Sequence, residues 1–379
     1  MTCKTAWGWP VLASLLLAFL SPLPAIGQSS LVQDFWLLDE FMAAHPGEAA
    51  RSQAFAERVT NPAQAVTSQR DEPLEIVVVY PGLQASDYWR RSVSSFRARM
   101  SELGIPFNLV DHFTRPGTDL RLQSRLIGDA MESAPDYLVF TLDALRHRGM
   151  IERVMAKGET RIILQNITTP LRAFDQRQPF LYVGFDHGVG ARLLAERYKR
   201  MMPQGGRYAI FYGPRGYVSR MRGGTFQQVM SDHPDTELVA SYYVGFDRER
   251  ARRGAIELLR NESDLDFIYA CSTDIAIGIV DALKETGRLG SVLVNGWGGG
   301  AIELALIAGD EAEVAERHRG GPGVTHLALR AQRVLEQAPR SRQIPHAPGD
   351  DPEVRLGERR VRPVADRVEE PVGFLLQRK

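Results

Sequence analysis

LEIVVVYPGLQASDYW, residues 74–89, is the stretch on which the reading of the chain turns. Residues 75–80 are dominated by Val and Ile with no polar alternation, the pattern of a strand buried on both faces. Pro81-Gly82 end it, and Ser86-Asp87 offer side-chain oxygens suited to cap a helix running through Val93 and Phe96. A buried strand, a polar loop and a helix form the first unit of a parallel α/β sheet. Ligands of such sheets sit beyond the carboxyl ends of the strands. Gln84, Ser86, Asp87 and Trp89 therefore stand at a binding edge.

Outward from this unit, strand and helix patterns alternate. Strands are expected at 75–80, 107–110, 137–141 and 161–165, with helices at 88–103, 119–133 and 145–156 between them. Residues 168–180 hold two prolines and no clean periodicity, which reads as a crossing segment. A second series follows, with strands at 181–184, 208–212, 237–244, 267–270 and 292–294. The expected fold class is α/β, with two doubly wound parallel-sheet lobes joined by a hinge. The first lobe is taken as 74–167 plus about 298–340, and the second as 168–297.

The two ends read differently. Residues 1–27 carry Lys4, a short apolar run and the small-x-small site Ala25-Ile26-Gly27, the pattern of a cleaved export signal. This directs the chain to the periplasm. Pro22 and Pro24 cut the apolar run short of the ~20 residues a membrane span needs. Residues 28–73 read as an N-terminal arm, a short helical pattern (Leu31, Phe35, Leu38, Phe41) followed by a polar run. Residues 311–379 contain twelve Arg, one Lys and a single aromatic, Phe374. They lack the Val, Ile and aromatic content of a central strand, and read as an atypical, poorly ordered tail of the kind a frame change in the gene produces.

The 379 residues suffice for two domains, and 44% apolar with 24% charged residues is an ordinary globular balance. Lys+Arg and Asp+Glu are 46 each, so no basic surplus exists for a nucleic-acid partner. Two cysteines, Cys3 and Cys271, make no disulfide framework. Cys271, left alone after signal cleavage, reads as a small buried hydrophobe.

No catalytic signature emerges. The histidines are scattered without metal-ligand spacing, and no nucleophile elbow occurs. The turn Asn295-Gly296-Trp297-Gly298-Gly299-Gly300 reads either as a phosphate cradle or as a tight inter-lobe turn. What recurs is a set of polar and aromatic residues at strand ends: Gln84, Ser86, Trp89, Asn166, Arg222, Ser272, Thr273, Asp274 and Trp297. Singly, each has a plain alternative, since Ser86 and Asp274 could cap helices and the tryptophans could be core. Jointly, from both lobes, they supply the donors, acceptors and flat apolar faces that a small polyhydroxylated ligand requires. Arg222 adds a preference for anionic character, because a buried guanidinium needs a counter-charge.

The motifs VVYPGLQASDYW, FTRPGTDLRLQS, DYLVFTLDALRHR, LQNITTP, FLYVGFDH, DFIYACSTDIAIG and NGWGGGAIEL resemble the LuxP-type autoinducer-2 receptors, within the ribose-type periplasmic binding proteins. The likeness runs roughly from residue 35 to 310. It implies a type I periplasmic binding protein fold and a furanosyl borate diester, autoinducer-2, as ligand, with boron present only as part of that ligand and no cofactor. It further implies a LuxQ-like membrane sensor kinase as partner in quorum sensing. By the same resemblance, the nine residues above bind the ligand, and Arg317, at the family's offset past Gly309-Asp310, joins them. The neighbours of Arg317, AEVAERHRGG, depart from the family pattern. The alternative is a ribose- or galactose-like sugar-binding component of an ABC importer. A repressor of this ancestry needs an N-terminal helix-turn-helix, and a glycosidase needs paired carboxylates at the cleft. Neither is evident.

Overall fold

A computed structural model of the chain describes residues 33–62, 66, 72–142, 147–166, 170–174, 177–298, 301–303, 305–306 and, as backbone, 374–377. The export signal, residues 311–373 and Arg317 lie outside the described residues.

The quoted stretch forms β1 (Leu74–Tyr80) and leads into α3 (Tyr88–Glu102), which follows the two arm helices α1 (Leu38–Ala44) and α2 (Pro46–Thr60). β1 lies inside a sheet, in parallel register with β2 (Phe107–Phe113) on one side and β3 (Tyr137–Phe140) on the other. Its side chains alternate between two apolar clusters. Ile76, Val78 and Tyr80 face Trp89 and Val93 of α3, while Val77 and Val79 face Leu138, Phe140 and Ile151. Burial on both faces is why the strand reads as an unbroken apolar run, each such side chain adding about 1.5–3 kcal/mol. Helices α4 (Leu120–Ala130) and α5 (His147–Lys157) carry the chain between β2, β3 and β4 (Arg161–Gln165).

After β4 the chain enters β5 (Leu181–Gly184), α6 (His187–Met201) and β6 (Gly206–Tyr212). A helical passage, α7, follows over residues 217–231. It consists of a turn Tyr217–Ser219, a π-helical turn Arg220–Gly224 and the helix Thr225–Ser231. Then come β7 (Thr236–Tyr243), α8 (Arg248–Asn261), β8 (Phe267–Ala270), α9 (Thr273–Glu285) and β9 (Leu293–Val294). The backbone of β10 (Phe374–Gln377) pairs antiparallel with β5. The described strands make two sheets, ordered β10-β5-β4-β3-β1-β2 and β7-β6-β8-β9. The architecture is two parallel-sheet α/β lobes, as expected from the sequence.

Three expectations need correction. Residues 181–184 do not open the second sheet: β5 pairs parallel with β4 in the first. A four-residue apolar strand carries no mark of which sheet it joins, and the irregular 168–180 segment returns to the lobe it left. The chain crosses instead between β5 and α6, whose Ala191, Leu194, Ala195 and Tyr198 lie in the second-lobe core. Second, the polar run of the arm contains α2, with Pro46 at its start and only Ser52 buried, so it carries no apolar stripe to read. Third, Asp87 occupies the N-cap of α3, but its side chain caps nothing and pairs with Arg91 at 3.1 Å. The arm itself is embedded: Phe35, Leu38 and Phe41 enter the first-lobe core, and Phe35 meets the ring of Tyr217 at 4.5 Å. Tyr217, Val218 and Met221 of α7 join the same cluster, which ties the lobes together through apolar contact.

Candidate functional site

The carboxyl ends of the strands in both sheets open on one cleft. Nine of the ten site residues expected from the sequence line it: Gln84, Ser86 and Trp89 after β1, Asn166 after β4, Arg222 from α7, Ser272, Thr273 and Asp274 after β8, and Trp297 after β9. The cleft encloses about 680 Å³ of empty space, the open solvent at its mouth included. Tyr88, Thr141, Phe185 and Phe246 line it as well.

Each wall is built by local rules. On the first-lobe side Trp89 lies against Tyr80 (4.6 Å between ring centroids) and Tyr88 (4.9 Å). Beneath them Gln165 accepts from the Tyr80 hydroxyl and donates to Ser92 Oγ (2.9 Å) and Tyr88 Oη (3.3 Å). The Ser86 hydroxyl accepts from the Tyr88 backbone at 3.4 Å. Asn166 has a left-handed backbone (φ 65°), a conformation asparagine tolerates. Its N–H donates to Val183 O at 2.7 Å.

On the second-lobe side Ser272 caps α9, its hydroxyl accepting from Ile275 N at 3.3 Å. Asp274 caps nothing. Its Oδ1 accepts from Ala85 N of the opposite lobe at 2.7 Å, and burial raises its carboxyl above the ordinary 3.8, against the opposing pull of the Ala85 and Ser86 N–H groups. Arg222 sits in the π-helical turn, a distortion frequent at functional sites. That turn is pressed against β6 and β8 by Gly223, where a Cβ would fall 2.2 Å from the Tyr212 ring and 2.9 Å from Cys271 Sγ. The Arg222 side chain is only 8% exposed. Its Nη1 donates to Cys271 O at 2.8 Å and its Nε to His187 Nδ1 at 3.2 Å, while the guanidinium lies 4.3 Å from the centre of the Trp297 ring. Burial lowers its pKa to about 10, which leaves it cationic at neutral pH. Cys271 is fully buried, in agreement with its reading as a small hydrophobe.

Three buried polar atoms on these walls have no partner among the described residues: Asn166 Oδ1, Asp274 Oδ2 and Trp297 Nε1. Arg222 Nη2 makes no hydrogen bond among them either, and Arg222 forms no ion pair there. The four residues that carry these two acceptors and two donors all line the one cleft, and buried polar groups left without a partner are the exception in folded proteins. The phosphate-cradle reading of the glycine turn does not survive, because Glu303 takes the N–H groups of Trp297 and Gly298, each at 3.1 Å. Among the described residues no group of His, Cys, Asp and Glu could hold a metal ion, and no helix is long and apolar enough to cross a membrane.

Sequence reasoning passed over His187, fully buried and bonded to both Arg222 Nε and Asn166 O. The signal was present: Phe185-Asp186-His187 follow β5 as Asn166 follows β4, and Thr141 likewise follows β3. The strand-end rule, applied to every strand, finds all three.

Two α/β lobes with a polar and aromatic cleft between the carboxyl ends of their strands have the architecture of a solute-binding clamp. The chain belongs to the family described as the periplasmic binding protein domain, whose model matches residues 76–315. It is similar to the D-ribose/D-allose-binding protein of Pseudomonas aeruginosa, 24% identical over 238 residues, which are 62% of this chain and 74% of that protein. It is also similar to the D-allose-binding periplasmic protein of Escherichia coli, 30% identical over 145 residues, 37% of this chain and 46% of that protein. Among solved structures, an ABC transporter periplasmic solute binding protein of Actinobacillus succinogenes with bound D-allose superimposes with a TM-score of 0.55. The two are 21% identical, over 63% of this chain and 83% of that one, a likeness of fold. Membership of this family agrees with the expectation of a ligand and no cofactor.

Proposed function

We propose that the chain is the solute-capturing component of a sugar importer, closing its lobes on one neutral, polyhydroxylated ring of monosaccharide size. The inventory of unpaired atoms carries this reading. Asn166 Oδ1 and Asp274 Oδ2 require donors, and Trp297 Nε1 and Arg222 Nη2 require acceptors. Ring hydroxyls are both, so one polyol satisfies all four. The buried carboxylates Asp274 and Glu303 share the site with the Arg222 cation, and a neutral guest adds no further charge to it. The indoles of Trp89 and Trp297 cover the C–H faces of a sugar. The solutes in the names of the relatives, ribose and allose, are of this kind. On this reading the ligand is captured and released unchanged in the periplasm, and the membrane partner is a permease.

One observation favours a second reading. Arg222 has no ion pair among the described residues, and a borate diester would give it one. In that case the chain is an autoinducer-2 receptor that reports to a membrane sensor kinase, with Arg317 as a further cation. Titration calorimetry with D-ribose, D-allose and autoinducer-2, each with and without borate, separates the two. The sugar reading expects binding of an aldose that is indifferent to borate. Affinity only for autoinducer-2, strengthened by borate, establishes the second.

A further inference from the structure

His187 stands directly behind the cleft, in contact with two of the residues that line it, Asn166 and Arg222. It sits where the chain passes from the first lobe to the second, as the first residue of α6. Its ring is wholly buried. Nε2 lies 3.1 Å from the carbonyl oxygen of Asn166, at the end of first-lobe strand β4, and Nδ1 lies 3.2 Å from Arg222 Nε on the second lobe. A guanidinium Nε–H can only donate, so Nδ1 must accept, and the ring proton must sit on Nε2, directed at Asn166 O. One tautomer alone satisfies both neighbours. The ring is also held neutral: burial and the adjacent Arg222 charge push its pKa well below 6.5.

We infer that His187 is a positioning residue, a neutral bracket between Asn166 O and Arg222 Nε that holds the guanidinium over the Trp297 ring with Nη2 left for the ligand. The chain of contacts runs Asn166, His187, Arg222, Trp297, and its first and last members line the cavity and each carry a buried polar atom without a partner among the described residues. Arg222 has two fixed bonds, Nη1 to Cys271 O and Nε to His187. Without the second, the plane of the fork is free to rotate about the first. Phe185 closes the remaining side, its ring 4.6 Å from His187 and 5.5 Å from the guanidinium carbon.

This role rests on the ligand-capturing reading of the cleft, and the test separates the two. Asn places an amide oxygen where Nδ1 stands, whereas Gln reaches the Nε2 position and offers nothing at Nδ1. His187→Asn is expected to keep affinity for D-ribose or D-allose within about threefold. His187→Gln and His187→Ala are expected to lose about tenfold or more, the worth of one charge-assisted hydrogen bond. A merely structural link to Asn166 O gives the reverse order, and equal losses in Asn and Gln variants overturn the inference as well. A ligand-free readout stands beside it. In nitrogen-detected NMR of the unsubstituted protein, His187 is expected to show the Nε2–H tautomer and Arg222 Nε–H slow solvent exchange. The exchange stays slow in His187→Asn and becomes fast in His187→Gln. If no sugar binds the unsubstituted protein, the functional reading falls while the NMR still decides the role of His187. An Nδ1–H tautomer, or rapid Arg222 Nε–H exchange, refutes that role without any variant.

Discussion

The two walls of the cleft are made differently. The first-lobe wall binds itself: Gln165 ties Tyr80, Tyr88 and Ser92 together, and Trp89 lies on two tyrosine rings. Asn166 Oδ1 is the unpaired buried side-chain atom that this network leaves at the cavity. The second-lobe wall leaves more unmet, with Asp274 Oδ2, Trp297 Nε1 and a buried guanidinium that lacks an ion pair among the described residues. A wall whose polar groups already pair gains little from a ligand, whereas a wall with unmet groups gains the full value of each bond formed. On the proposed function, recognition is concentrated on the second lobe, and the first acts as a preorganised cover. The Ala85 N–H to Asp274 Oδ1 bond fastens that cover across the gap.

The largest expected effect of breaking this asymmetry is at Arg222. Arg222→Met should lower ligand affinity by about 100-fold or more by calorimetry, while raising the unliganded melting temperature, because a desolvated cation with no ion pair among the described residues is removed. A gain of 1 kcal/mol appears as about 2 °C or less in a chain of this length, below the 2–4 °C of smaller domains. Arg222→Lys should not restore binding, since an ammonium cannot reproduce the fork. Loss of both stability and affinity in Arg222→Met would mean that the residue is structural.

Asp274→Asn comes next. The amide keeps an acceptor for Ala85 N–H and loses the second carboxylate oxygen, so affinity should fall about tenfold. This variant also has a pH signature. Because burial raises the Asp274 carboxyl, the folded protein holds the proton more tightly than the unfolded chain. The contribution to stability is thus complete below the ordinary 3.8 and is lost as pH rises through the raised folded value. Unliganded Asp274→Asn should melt close to the unsubstituted protein at pH 3.5 and above it at pH 7. A difference that shrinks as pH rises contradicts the assignment.

Gly223→Ala sharpens the comparison from the backbone side. The new Cβ must displace the Tyr212 ring, at a cost of about 1–3 kcal/mol in a urea melt. It should also weaken binding several-fold by moving Arg222. The smallest effect belongs to the self-paired wall. Tyr80→Phe removes one bond to Gln165, and should cost about 1 kcal/mol of stability while affinity changes less than about threefold.

Much of this was legible in the residues themselves. β1 announced its burial on both faces because both faces are in fact covered, and eight residues that follow strands met in one cleft because parallel sheets send their carboxyl ends the same way, with Arg222 of α7 reaching the same cleft. What stayed hidden had physical reasons. β5 is too short for its composition to say which sheet it completes, and α2 is too exposed to show a stripe. His187 has the composition of an ordinary core histidine, and only its two partners distinguish it. Asp274 looked like a helix cap because it stands in a first turn, yet its carboxylate reaches to the other lobe.

The central claim is that a neutral polyol is gripped chiefly from the second lobe. Its most direct measurement is calorimetric titration of the full chain with a panel of ring-form monosaccharides, with and without borate, in the unsubstituted protein and in Arg222→Met. The expected result is saturable one-to-one binding of at least one sugar in the micromolar range or tighter, unchanged by borate and abolished in Arg222→Met. Absence of heat with every sugar, or binding that arises only when borate is added, contradicts it.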